Sequence, residues 1–285
     1  MIPSFFALFS KAGIACAADT DHTVYRLSKD LPVALAVNPL SPIPWDKLIE
    51  EYKSHLHLNS QKSLAKYATD FDAFLSTCKV ERSWKSLSAY DANIIFFGFG
   101  SEDIYPSAYD VNVMVKENGK LGLRESSVHQ VTDQESSFFH FLGDFDSVST
   151  LLFGASERTK TFVYNQHVAI WSEYAHRVME KFKGTEYEQY VKNHLDRYDC
   201  RNDIQAAIDR ATSDVMSELS VGFSSFGVED MVTAVETIVN ANTKLSHLRS
   251  GAPGKPGNAQ EIAVVTIPEG LSWIKHSLYH RRNEI

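Results

Sequence analysis

Few residues in this chain are grouped as catalysis or metal binding requires. His55-x-His57 has the spacing of half a metal site. A zinc site needs three or four Cys, His or carboxylate ligands, and no matching cluster accompanies the pair. The two read as exposed histidines at a helix end, and neither a metal nor another cofactor is expected. Gly98-Phe99-Gly100 lacks the remaining glycine and the lysine of a phosphate-cradling loop. Gly154-Ala155-Ser156 lacks the second glycine of a nucleophile elbow. His22 has the titration range of a general base, but its polar neighbours Thr20 and Asp21 mark a surface turn. Cys16 lies in an apolar run and reads as a buried, inert thiol. Lys181, Lys183, Arg281 and Arg282 are too sparse to form a basic patch.

The elements that would position such groups are clearer. Short apolar runs separated by polar punctuation predict strands over 4–9, 14–18 and 23–27, with a turn at Lys11-Ala12-Gly13. The run 32–37 is continuous and apolar, as a buried strand is. Pro44 starts a helix that carries Trp45, Leu48, Ile49, Tyr52 and Leu56 at helical spacing. Ser60 opens a second helix, striped by Leu64, Tyr67, Ala68, Phe71, Phe74, Leu75 and Cys78. Strands are expected at 92–98, 108–116 and 121–130, the last two joined by an Asn118-Gly119 hairpin turn.

From about Glu135 the pattern turns helical. Helices are expected over 159–182, 186–198, 203–221 and 228–249. The last of them carries Val228, Met231, Val232, Val235 and Val239 at helical spacing, and this stripe, with the aromatic-rich helix 159–182, offers faces for association beyond what one core needs. A hairpin over 261–266 and 271–276 closes the chain.

Composition narrows the function. A net charge of −8 disfavours nonspecific binding to nucleic acid or to an anionic membrane. No apolar run approaches the length of a membrane span. Three cysteines, an odd and sparse count, argue against a disulfide framework and for a reducing, cytoplasmic setting. The segment 2–18 ends Ala-Cys-Ala-Ala and imitates a secretory leader. No basic residue precedes its apolar run, however, and Lys11 and Gly13 interrupt it, so a strand hairpin is expected instead. At 285 residues the chain can bury a large core. A single domain over 1–285 is expected, with a helical elaboration at about 135–225.

Several segments together resemble the proteasome-like N-terminal nucleophile (Ntn) hydrolases, and in particular the bacterial proteasome-like proteins of unassigned function. They are the Lys-x-Gly turn, the strand ending Ala17-Ala18-Asp19-Thr20, Leu27-Ser28-Lys29 with Pro32-Val33, and Pro44-Trp45-Asp46. Gly98-Phe99-Gly100 with Pro106-Ser107, and Trp273-Ile274-Lys275, complete the set. The segments keep their order along the chain, while 130–225 matches poorly. The resemblance implies an α+β fold: a four-layer αββα sandwich of two antiparallel sheets between helical layers. It also implies self-assembly into a ring or a higher homo-oligomer.

In that family the chain's first residue supplies both the nucleophile and, through its α-amine, the base. A lysine activates it, an aspartate pairs with the lysine, and a backbone N–H stabilises the oxyanion. Counting back from Asp19 puts Pro3 at the nucleophile position. Proline has no hydroxyl or thiol. Ser4 is one residue away and would serve only after removal of Met1-Ile2-Pro3. Thr23 occupies the place of the lysine. The oxyanion loop reads Asn38-Pro39-Leu40-Ser41, with no glycine. Only Asp19 remains, as a vestigial carboxylate. The expectation is a catalytically silent, self-assembling protein. The alternative is an amidohydrolase or peptidase with an unconventional nucleophile, Ser4 or Ser41.

Overall fold

The computed structural model describes residues 4–20, 23–27, 32–38, 43–56, 62–78, 93–116, 120–143, 145–197, 200–251 and 258–276. They divide into two compact units, one of residues 1–145 with 220–285 and the other of 146–219.

The first unit holds two five-stranded antiparallel sheets. The opening hairpin, β1 (Ser4–Ser10) and β2 (Gly13–Ala18), forms as the sequence predicts. Its sheet, in the order β10-β9-β2-β1-β8, adds β8 (Ser137–Gly143), β9 (Glu261–Thr266) and β10 (Gly270–Lys275). The other sheet runs β3-β4-β5-β6-β7: Val24–Arg26, Val33–Val37, Asn93–Gly98, Ser107–Val115 and Leu121–Gln130.

Alternation along the strands sorts side chains into layers. Phe5, Ala7 and Phe9 from β1 meet Ala34, Ala36, Ile95 and Phe97 from the other sheet, forming a core between the sheets. The opposite face of β4 and β5, with Leu35, Phe96 and Ile94, packs under α1 (Trp45–His55) and α2 (Leu64–Leu75). The opposite face of β1, β2 and β9 packs under α7 (Val228–Ser250). Helices, sheet, sheet and helix make the four-layer αββα sandwich.

The second unit is helical. It contains most of α3 (Phe145–Phe153), α4 (Glu157–Phe182), α5 (Glu188–Arg197) and residues 200–219 of α6 (Cys200–Ser224).

Four details differ from the expectations. The segment after Glu135 is first a strand, β8, and becomes helical only from Phe145. Phe139 of β8 stacks on Phe6 and meets Phe223 edge-on, while Phe138 stacks on Phe9. Both faces of β8 are therefore apolar, and the period-2 signal vanishes. Pro44 is the N-cap of α1 rather than its first residue. The cap of α2 is Ser63, whose hydroxyl accepts the Lys66 N–H at 3.3 Å; Ser60 lies outside the described residues. Finally, Met231, Val235 and Val239 of α7 are fully buried, so that stripe belongs to the core. The Asn118-Gly119 turn also lies outside the described residues, although Lys116 N–H bonds the Lys120 carbonyl across it at 2.7 Å.

Gly98 shows why one sequence motif is structural. It ends β5 at a φ of 142°, and a Cβ there would stand 2.0 Å from the Pro32 carbonyl oxygen. Only glycine permits that approach. Gly98-Phe99-Gly100 thus closes a strand pair.

Candidate functional site

The head of β1 meets the end of β2 beneath the last turns of α7. Ser4 and Asp19 are tied there by backbone and side chain. Ser4 N–H donates to Asp19 Oδ1 at 2.7 Å, and Asp19 N–H donates to the Ser4 carbonyl at 3.1 Å. The apolar stripe of α7 turns polar at this point, with the buried pair Asn242 and Thr243. Asn242 Nδ2 donates to Ser4 Oγ at 2.6 Å. Thr243 Oγ1 lies 3.3 Å from Asp19 Oδ2 and 2.9 Å from the Val239 carbonyl, and shares its one proton between them.

The electrostatics follow. Burial pushes the Asp19 carboxyl above its ordinary pKa, and the Ser4 N–H and the Thr243 hydroxyl pull it back only in part. Among the described residues Asp19 has no ion-pair partner. A carboxylate facing an activating lysine would shift the other way. Thr23, at the lysine's expected place, is buried, and its hydroxyl turns to the Thr20 carbonyl at 3.2 Å. Beside it Glu261 of β9, also buried, accepts the N–H groups of Thr23 at 3.3 Å and Val24 at 3.0 Å. That carboxylate ties the start of β3 to the other sheet.

The structure therefore brings Ser4, Asp19 and Thr23 to one end of the sandwich and adds Asn242, Thr243 and Glu261. Sequence reasoning missed these three. The available signal for two of them was the polar Asn242-Thr243 interruption of an apolar helical stripe. Asn38 is buried at the end of β4 and donates its N–H to the Asn93 carbonyl at 3.0 Å. Pro3, His22, Pro39, Ser41 and His57 lie outside the described residues. His55 is exposed at the end of α1, where its Nδ1 lies 2.7 Å from the Glu51 carbonyl. Ser156 caps α4, accepting the Thr159 N–H at 3.0 Å. Asp110, His129 and His140, which could hold a metal ion, lie elsewhere in the sandwich.

No protein-family model and no curated protein matches the chain. Among solved structures, Anbu (ancestral beta-subunit) from Yersinia bercovieri is similar with a TM-score of 0.33 and 11% identity. The match covers 52% of this chain and 62% of that one, so it spans less than two thirds of the Anbu chain.

Proposed function

We propose that this chain is a catalytically silent protein on a proteasome-like scaffold and acts by associating with copies of itself. The observation that carries the first part is that, among the described residues, the hydrogen-bond partners of Asp19 are neutral groups. Its acceptor oxygens take a peptide N–H and a threonine hydroxyl, whereas activating a hydroxyl nucleophile calls for a base or a cation beside it. Ser4, 4% exposed, holds a hydrogen bond from the buried Asn242.

Self-association rests on α4. Phe162, Ile170 and Tyr174 fall on one stripe of four-residue steps and are 60%, 63% and 56% exposed. The exposed Gln166 is the one polar residue in that row, and exposed apolar residues grouped on one helix face mark a contact surface. Met231, Val235 and Val239 of α7 are buried in the core and offer no face for association.

Two measurements test the reading. Intact-mass analysis after treatment with a β-lactone or epoxyketone probe is expected to show no adduct. A species beginning at Ser4, or an adduct on Ser4 or Ser41, would establish the amidohydrolase alternative. Light scattering is expected to give a mass well above the 32.0 kDa of one chain, falling to that value in F162D/I170D/Y174D. A monomeric wild type would refute self-association.

A further inference from the structure

A second polar cluster stands at the open edge of the sandwich. β8 is an edge strand of one sheet and β7 an edge strand of the other, with β6 beside it. His140 of β8 lies opposite Ala7, Asp110 of β6 opposite Ile95, and His129 of β7 opposite Ala108. Ala7, Ile95 and Ala108 all belong to the core between the sheets. Directly paired residues share a face, so all three polar side chains lie on the face toward that layer, with His129 half exposed at its rim. Two of the three opposing residues are alanines, which leaves room for imidazole rings.

A β-bulge aims the group. Ser127 pairs with Asp110, but Glu125 pairs with the next residue, Val111. Before the bulge, Leu121 and Leu123 point toward the α1/α2 core. After it, Ser127 and His129, also odd-numbered, point between the sheets. Without the extra residue Val128, which is 58% exposed, would take His129's place. Bulges re-aim side chains in this way and are frequent beside functional sites.

The atoms are close. His140 Nε2 lies 2.8 Å from Asp110 Oδ1, and His129 Nε2 lies 3.8 Å from Asp110 Oδ2. One ligand atom from each residue falls within 4.8 Å of the others. Zinc bonds of 2.0–2.1 Å at tetrahedral angles require ligand atoms about 3.3 Å apart, a spacing that small side-chain rotations reach from a group no more than 4.8 Å across. Ser127 Oγ donates to Asp110 Oδ2 at 2.9 Å and so orients the carboxylate. A serine-type catalytic relay is ruled out by geometry. Such a relay uses both nitrogens of one histidine, whereas Ser127 and Asp110 approach the same Nε2 of His129.

We propose that Asp110, His129 and His140 bind one divalent first-row transition-metal ion. Two imidazoles and one carboxylate suit zinc or cobalt rather than magnesium or calcium, which take oxygen ligands. Three protein ligands leave a coordination position for water or a small molecule. The ion would join strands of both sheets at their open edge.

The test uses the full chain stripped of metal. Titration with Co2+ is expected to reach one equivalent, with visible d–d absorption of a low-coordinate site that one equivalent of Zn2+ abolishes. Zn2+ is expected to raise the Tm by linkage. S127A should weaken binding about 10-fold, D110N and H140A should weaken it further, and H55A should leave it unchanged. Should D110N or H140A fail to fold by circular dichroism, the wild-type stoichiometry and spectrum decide. Absence of one-equivalent binding by the wild type, or binding that survives in both folded variants, would overturn the proposal and leave a carboxylate–imidazole contact between the sheets.

Discussion

Two aspartates in the same sandwich, Asp19 and Asp110, have been given opposite company. Asp19 lies under α7 among a peptide N–H and neutral side chains, and burial raises its proton affinity. Asp110 lies on β6, one strand in from the sheet edge, beside two imidazoles and a serine hydroxyl. Asp19 sits where the resemblance places a catalytic group, yet its surroundings serve to hold β1, β2 and α7 together. Asp110 sits where no motif points, yet its neighbours are good metal ligands. The type of residue at a site says less than which basic groups face it.

The largest expected difference is in stability. D19A strips the acceptor from two donors beneath a helix and is expected to cost about 2–4 kcal/mol in urea denaturation. D110A should cost less, about 1–2 kcal/mol, because His129 is half exposed and can turn to water. The reverse order would mean that Asp110 holds more of the fold together than Asp19. N242A should cost about 1–2 kcal/mol, since it removes the donor that Ser4 Oγ accepts.

The smallest effect is the most diagnostic. D19N keeps an acceptor for the Ser4 N–H and should stay within about 1 kcal/mol of the wild type at neutral pH. The fold favours protonated Asp19, because its folded-state pKa is raised by burial. The wild type should therefore gain on D19N as pH falls through that folded-state pKa, with the full gain below the unfolded value. A wild-type advantage that grows as pH rises would mean that a cation faces Asp19.

Local signals made much of this frame readable. Glycine and lysine at 11–13 punctuate two apolar runs, and the β1–β2 hairpin follows. The four-residue spacing of Met231, Val235 and Val239 gave α7 its buried face. The Asp19 cluster was half legible, because Ser4 and Asp19 are close to a recognisable turn while Asn242 and Thr243 arrive 238 and 224 residues away. The Asp110 cluster was not legible for two reasons. One ligand lies on β8, whose two apolar faces hide the strand period. Another is turned inward by a bulge, which reverses the alternation that a reader would count. His55-x-His57 offered a tidier spacing, but His55 is held at a helix end instead.

The order β10-β9-β2-β1-β8 has a consequence for biosynthesis. β2 waits for a neighbour, β9, whose Glu261 fastens Thr23 from 238 positions downstream. During translation the Phe- and Ala-rich opening hairpin must emerge from the ribosome long before its flanking strands exist. Its unpaired edges and aromatic faces are then open to chaperones and to wrong partners alike.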